Sequence, residues 1–287
     1  MKYIIGVDLG GTNVKVALVD LKGKIIKKYE TPTQVKRGSR AVINNIISAI
    51  EKVKTGKVIG IGIGSPGPLD FRTGVITTPV NLPFRHTPLR KIIRDKFRIK
   101  TYLDNDANCF ALAEAIFGQG KRYENVIGIT LGTGLGGGLV INKKLYHGRN
   151  NAAELGHLTI KYDGPKTRCG NDGCIETHVA ARGITAIHGG SEPYMINMQA
   201  FKGDKKALKT YRTMGYYLGI GITNFIYAFD PDIIIIGGKI SNAWNFFSKT
   251  MNQVIKKRYF TKPCRIVKSK LKEAGILGAA ALALENK

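Results

Sequence analysis

The chain has 287 residues, enough for two domains that each bury a core, and its 43% hydrophobic and 23% charged content is that of a soluble globular protein. Its apolar runs are too short or too broken by glycine to span a bilayer, and the start, MKYIIGVDLGG, lacks the pattern of a secretory leader, so a cytoplasmic protein with no membrane partner is expected. The formal net charge of +25, from 45 Lys plus Arg against 20 Asp plus Glu, fits either a polyanionic partner or a solvated Lys-rich surface; no helix-turn-helix, finger or RNA-binding signature accompanies it, so no specific nucleic acid is expected and the reason for the charge stays open.

The first thirty residues alternate β-rich runs with turns: KYIIGVDLG, NVKVALVD and KIIKKYET, which reads as an antiparallel meander. Val42, Ile43, Ile46, Ile47 and Ile50 follow the helical period from Ser39 to Val53. KVIGIGIGS (57–65) reads as a buried strand, TPLRKIIRDKF as a helix, KTYLD (100–104) as a strand, and 106–117 as a helix stopped by Gly118. NVIGITLG, LGGGLVIN and KKLYHG then repeat strand, turn, strand, turn, strand. Beyond them, 207–229 reads as a helix, DIIIIGG (232–238) as a very apolar strand, 241–257 as a helix, and the Ala-rich end as a helix packing back on the protein.

The second run of strands copies the first. Ile5-Gly6-Val7-Asp8-Leu9-Gly10 lies over Ile127-Gly128-Ile129-Thr130-Leu131-Gly132 at an offset of 122, and the same offset lays Ala17–Asp20 over Leu139–Asn142. An internal duplication follows, with two similar α/β halves and a cleft between them. The expected division is 1–117, completed by a C-terminal helix at 272–286, and 118–271.

A strand ending in a glycine turn brings bare backbone N–H groups to a ligand, and phosphate oxygens are the natural acceptors. Two such turns in register suit a polyphosphate chain. DLGGT offers Gly10 and Gly11, with Asp8 to hold Mg²⁺ through water, Thr12 to meet a terminal phosphate and Lys15 close by; LGTGLGGG offers Gly132, Thr133 and Gly134. Gly237-Gly238 ends the apolar strand where a flat adenine could lie. Neither turn is a Walker loop, because no GK[ST] follows the glycines.

The motifs DLGGT, SPGP, LDNDAN, LGTGLGGG, ELGH and CGNDGCIET occur in the order found in the ROK (repressor, open reading frame, kinase) group of sugar kinases, which the chain resembles over nearly its whole length. The resemblance implies a duplicated actin-like (ribonuclease H-like) α/β fold of two domains with an interdomain cleft, often dimeric, so a homodimer is expected. It implies an ATP-dependent hexose kinase acting at the 6-hydroxyl, glucose first, with N-acetylhexosamine, fructose and mannose kinases as alternatives. A sugar-sensing regulator with nucleic-acid affinity is the alternative of another class. Repressors of the group carry an added N-terminal DNA-binding domain, and with a strand starting at residue 3 that role is not expected.

By the same resemblance, Asp106 of NDAN is the catalytic base. From spacing alone, Asn105 or Asp106 could equally cap the following helix. The implied sugar-binding set is Gly67, Asn81, Asn105, Asp106, Glu154, His157 and Glu176. The group usually holds a structural Zn²⁺ with the ELGH histidine and three cysteines of CxCGxxGC. Here Thr167 stands in place of the first cysteine, which leaves His157, Cys169 and Cys174, with His178 or Asp163 as candidate fourth ligands; three ligands leave zinc occupancy open. Cys109 and Cys264 read as packing residues, and all four cysteines as free thiols.

Overall fold

The computed structural model describes residues 1–167 and 169–285. The chain forms two compact units. The first comprises Met1–Glu124, Val140–Ala152 and the stretch from Lys270; the second comprises Asn125–Leu139 and Ala153–Ser269.

In chain order the elements are β1 (Lys2–Leu9), β2 (Asn13–Asp20), β3 (Ile25–Pro32), α1 (Ser39–Val53), β4 (Lys57–Ser65), β5 (Leu69–Asp70), β6 (Val75–Ile76), α2 (Leu89–Phe97), β7 (Thr101–Asn105) and α3 (Asp106–Ile116). Then come β8 (Val126–Leu131), β9 (Leu135–Ile141), β10 (Lys144–Leu145), α4 (Glu176–Val179), α5 (Ala181–His188), α6 (Pro193–Phe201), α7 (Lys205–Phe229), β11 (Ile233–Gly237), α8 (Trp244–Arg258), β12 (Arg265–Lys268) and α9 (Ala274–Glu285).

Two five-stranded sheets have orders β3-β2-β1-β4-β7 and β10-β9-β8-β11-β12. Each is an antiparallel meander whose first strand is flanked by a parallel strand, with one more parallel strand beyond it. The orders correspond strand for strand, as the offset of 122 requires.

Period-2 alternation sorts the first sheet onto two faces. Ile5, Val7, Leu9, Val14, Val16 and Leu18 share a core with Val42, Ile46 and Ile50 of α1 and Leu89 and Ile93 of α2. Ile4, Ala17 and Val19 meet Ile276, Leu277, Ala280 and Ala283 of α9 on the other face. The alternating glycines of β4 explain how an Ala-rich helix fits there. A Cβ on Gly60 would come within 2.7 Å of the Ala283 Cβ, and one on Gly62 would drive into the Ala279 carbonyl, so α9 packs backbone against backbone while Ile61 and Ile63 fill the opposite core. In the second unit the fully apolar β11 runs parallel to β8 and β12, and Gly215 and Gly219 of α7 give room for the Phe247 and Met251 carbonyls of α8.

Three details depart from the sequence reading. KKLYHG contracts to the two residues of β10, and the helix expected over 241–257 begins as a 3-10 turn, Lys239–Ala243, before α8. Helices α4, α5 and α6 and strands β5, β6 and β12 are additional: α4 is a single turn, α5 and α6 are short and split at Gly189-Gly190, β5 and β6 are two-residue runs paired with each other, and β12 is a four-residue run that depends on pairing with β11. Among the described residues no helix is long and apolar enough to cross a membrane.

Candidate active site

Gly10, Gly11 and Thr12 form the turn between β1 and β2. Gly10 N–H donates to Asn13 O at 3.0 Å. Thr33, fully buried just past β3, donates its N–H to Thr12 O at 2.8 Å and its hydroxyl to Gly10 O at 2.6 Å, so it braces the turn from beneath. Sequence reasoning missed Thr33, whose signal was a single threonine after Pro32. Asn81 lies against Gly11, where a Cβ would sit 3.2 Å from both the Asn81 Cβ and its carbonyl, so a sugar-binding candidate reaches the phosphate turn. Asp8 and Lys15 face each other across the β1–β2 pairing. Burial pushes the Asp8 carboxyl up to about 6, against the pull of Lys15 and with the help of the charges on Asp106, Glu273 and Glu30.

At the β7–α3 junction the capping question has a direct answer. Asn105 is the N-cap: its Oδ1 accepts from Ala107 N–H at 2.8 Å. Asp106 is the first residue of α3, and its Oδ1 accepts from the same N–H at 2.9 Å. Its side chain reaches solvent, yet the surrounding protein strips away enough water to raise the carboxyl above the usual range, opposed by the Ala107 N–H and its own. Gly67 adjoins this pair, where a Cβ would lie 3.5 Å from Asn105 Nδ2. One residue back, the buried Asp104 accepts from Asn105 N–H at 2.7 Å and Asn108 Nδ2 at 2.9 Å, and its other oxygen lies 2.6 Å from His147 Nε2. His147 in turn stacks on Phe71 at 3.7 Å between ring centroids. Asp104 and His147 are absent from the candidates drawn from sequence.

In the second unit, Gly132 N–H donates to Gly134 O at 2.9 Å, and Gly132 O accepts from Ala181 N–H, at the start of α5, at 3.0 Å. This closes the turn between β8 and β9 around Thr133. Glu176 accepts from Leu135 N–H at 2.9 Å and presses on Gly134, which has no side chain to obstruct it. A glycine expected to receive phosphate and a sugar-binding candidate are thereby joined. Gly238, at φ 84°, has its own structural reason to be glycine, since a Cβ there would strike the backbone of Leu131 on β8. Glu154 and His157 flank a single 3-10 turn, Leu155–His157, with Glu154 Oε2 3.8 Å from His157 Nε2; both are well exposed.

His157, Cys169 and Cys174 come together with their ligand atoms all within 4.8 Å of one another. Cys169 Sγ lies 3.6 Å from Cys174 Sγ, close to the roughly 3.7 Å that two thiolates take on one tetrahedral zinc. Thr167 Oγ1 sits 2.9 Å from Cys169 Sγ and 3.8 Å from Cys174 Sγ, within hydrogen-bonding reach of both sulfurs. Hydrogen bonding with Thr167 and with the Asn171 backbone draws the exposed Cys169 thiol down to about 7, whereas burial pushes Cys174 up. Among the described residues neither suggested replacement joins this group: His178 stacks on Tyr217 at 4.1 Å, and Asp163 lies 3.6 Å from Lys161. All four cysteines are free thiols.

The sequence model of the ROK family matches residues 4–286. This chain belongs to the ROK family. It is 36% identical to a glucokinase of Halalkalibacterium halodurans over 88% of this chain and 84% of that protein. It is 35% identical to a glucokinase of Thermotoga maritima over 99% and 98% of the two chains. The crystal structure of a ROK family glucokinase from Streptomyces griseus in complex with glucose and AMPPNP superposes with a TM-score of 0.83 at 30% identity, covering 99% of each chain. The two-sheet α/β organisation is therefore that of ROK sugar kinases.

Proposed function

We propose that this ROK chain is an ATP-dependent kinase that transfers the γ-phosphate to the 6-hydroxyl of a hexose, with glucose as the principal substrate. The observation that carries this reading is the Asp106 carboxyl at the first position of α3, beside the capping Asn105, in a chain whose relatives are glucokinases over most of their length.

A hexose hydroxyl is a poor nucleophile, so the proton must leave as the oxygen attacks phosphorus. Asp106 accepts that proton, the new bond forms between O6 and Pγ, and the bond from Pγ to the β,γ-bridging oxygen breaks to release ADP. Desolvation raises the Asp106 carboxyl above the usual range, which makes its ionised form a stronger proton acceptor. Asn81, Asn105, the backbone at Gly67, Glu154, His157 and Glu176 serve as the sugar-recognising groups. Gly10, Gly11 and Thr12, with Lys15, and the turn Gly132, Thr133, Gly134 present N–H and hydroxyl donors to the phosphates, and Gly237-Gly238 receives the adenine. Asp8 is the residue that would hold Mg²⁺ through water, and the ion would supply neutralisation of phosphate charge. His157, Cys169 and Cys174 are the residues that would hold Zn²⁺, which would supply a structural cross-link ahead of Glu176 at the start of α4. The reading places the enzyme in the cytoplasm as a homodimer, which sedimentation of the purified protein checks.

The experiment is ADP release with Mg-ATP against hexoses and N-acetylhexosamines, for the native chain and Asp106→Asn. Sugar-dependent turnover is expected, falling at least about a hundredfold in the variant. Full activity in Asp106→Asn overturns the base, and no turnover with any sugar, in protein that binds glucose, overturns the kinase.

A further inference from the structure

The residues assigned to sugar phosphorylation do not account for the net charge of +25, and one place on the second unit combines cations with exposed aromatic rings. Helices α7 and α8 pack side by side and end together, where the Tyr227 hydroxyl donates to the Arg258 carbonyl at 3.0 Å. Three rings cluster at this shared end. Tyr227 lies 4.9 Å from Tyr259 and 5.6 Å from Phe260, and Tyr259 lies 5.6 Å from Phe260, the last two contacts inclined by only 29°. Phe260 is 82% exposed and Tyr227 49% exposed, so the cluster is a platform facing water and not a core.

Its border is basic. Lys256, Lys257 and Arg258 end α8, Lys262 follows the rings, and Arg265 opens β12; all five are exposed, and among the described residues none enters an ion pair. The acids near this end are Asp230 and Asp232, and Asp232 already accepts from Asn125 N–H at 2.8 Å. Set against itself across a two-fold axis, the patch would bring cations onto cations, so it does not suit a symmetric self-contact. A polymer that alternates flat rings with phosphates matches it, because bases stack on the aromatic faces while the phosphates lie among the lysines and arginines.

We propose that the Tyr227–Tyr259–Phe260 platform and its basic border bind single-stranded nucleic acid without sequence preference. A duplex, whose bases are already stacked on one another, uses only the charges. The site is separate from every residue assigned to phosphoryl transfer, so it stands or falls independently of the kinase reading.

The test is fluorescence anisotropy of the full-length protein with labelled single-stranded oligothymidine and oligouridine of about a dozen nucleotides, against a duplex of equal length, over a salt series. Single strands should bind more tightly than duplex. Phe260→Ala should weaken single-strand binding at least about fivefold with hexose phosphorylation unchanged, and Phe260→Trp should keep it. Lys262→Gln should lower the slope of log affinity against log salt by about 0.7. Equal affinity for duplex, or no loss in Phe260→Ala, overturns the proposal in favour of plain charge attraction. Binding to phosphatidylserine vesicles that depends on Phe260, with none to oligonucleotides, overturns it in favour of a membrane surface.

Discussion

The Glu176 carboxylate accepts a hydrogen bond from the Leu135 backbone N–H at 2.9 Å, directly beside Gly134. A residue proposed to recognise sugar thus helps hold the turn proposed to receive phosphate. The contact requires a bare Cα at 134, since a methyl group there would displace the carboxylate.

Gly134→Ala should therefore raise KM for both ATP and sugar. Glu176→Gln, which keeps an acceptor oxygen and the shape, should raise KM for sugar more than for ATP. The alanine variant also carries an overpacking cost of about 1–3 kcal/mol, visible as a lower Tm. Steady-state kinetics with each substrate varied in turn checks both; an alanine variant with unchanged KM values removes the link between Glu176 and the turn.

Asp8 gives the reaction an acid limb. Its carboxyl, raised to about 6 by burial, must be ionised to bind Mg²⁺, so kcat/KM for Mg-ATP should fall as pH drops below about 6. The effect on folding has the opposite sign. Native Asp8 binds its proton more tightly than the unfolded chain, where the reference value is 3.8, so its contribution to stability grows as pH falls from about 6 toward 3.8 and is lost above that window. Asp8→Asn should be more stable than the native protein at pH 7 and lose this advantage near pH 4. Thermal melts of both proteins across the window test the sign.

The strands were legible because their periodicity is local. β1, β2 and β4 read directly from alternation, and the copied register of residues 5–20 and 127–142 exposed the duplication. The glycines at 60 and 62 could be seen in sequence, but their reason, α9 pressed against that face, joins segments more than 200 residues apart. At LDND the sequence offers adjacent polar side chains and no indication of which faces inward. The fold separates them: Asp104 is buried in a hydrogen-bond network, Asn105 caps α3, and Asp106 reaches solvent. Thr33 was illegible because its partners, Gly10 and Thr12, are brought to it only by the β2–β3 pairing.

The Thr167 hydroxyl stands within 3.8 Å of both sulfurs of the cysteine pair, which makes the missing thiolate restorable. Thr167→Cys should tighten Zn²⁺ binding by at least about tenfold, because a fourth protein ligand completes a closed tetrahedral site. Competition against a chromophoric chelator gives the affinity without reference to activity. Unchanged affinity would mean that position 167 does not face the metal.

His147 offers the sharpest separation between stability and function. Its Nε2 lies 2.6 Å from Asp104 Oδ2, and the other Asp104 oxygen holds Asn105 N–H at 2.7 Å, so His147 reaches the sugar-binding end of β7 through one buried carboxylate. His147→Ala strips that carboxylate, whose side chain is only 5% exposed, of a partner, at a cost of about 1–3 kcal/mol. It also frees the β7–α3 junction to shift. Sugar KM should then rise by about tenfold while KM for ATP stays within about twofold, since a displacement of Asn105 by a fraction of an ångström spoils orientation without touching the glycine turns. His147→Gln keeps an N–H donor at nearly the same reach and should restore most of the sugar affinity, although it loses the ring stacked on Phe71. If the alanine variant melts earlier but keeps its sugar KM, the Asp104–His147 pair only supports the fold; if glutamine fails to rescue, the Phe71 stack matters more than the hydrogen bond.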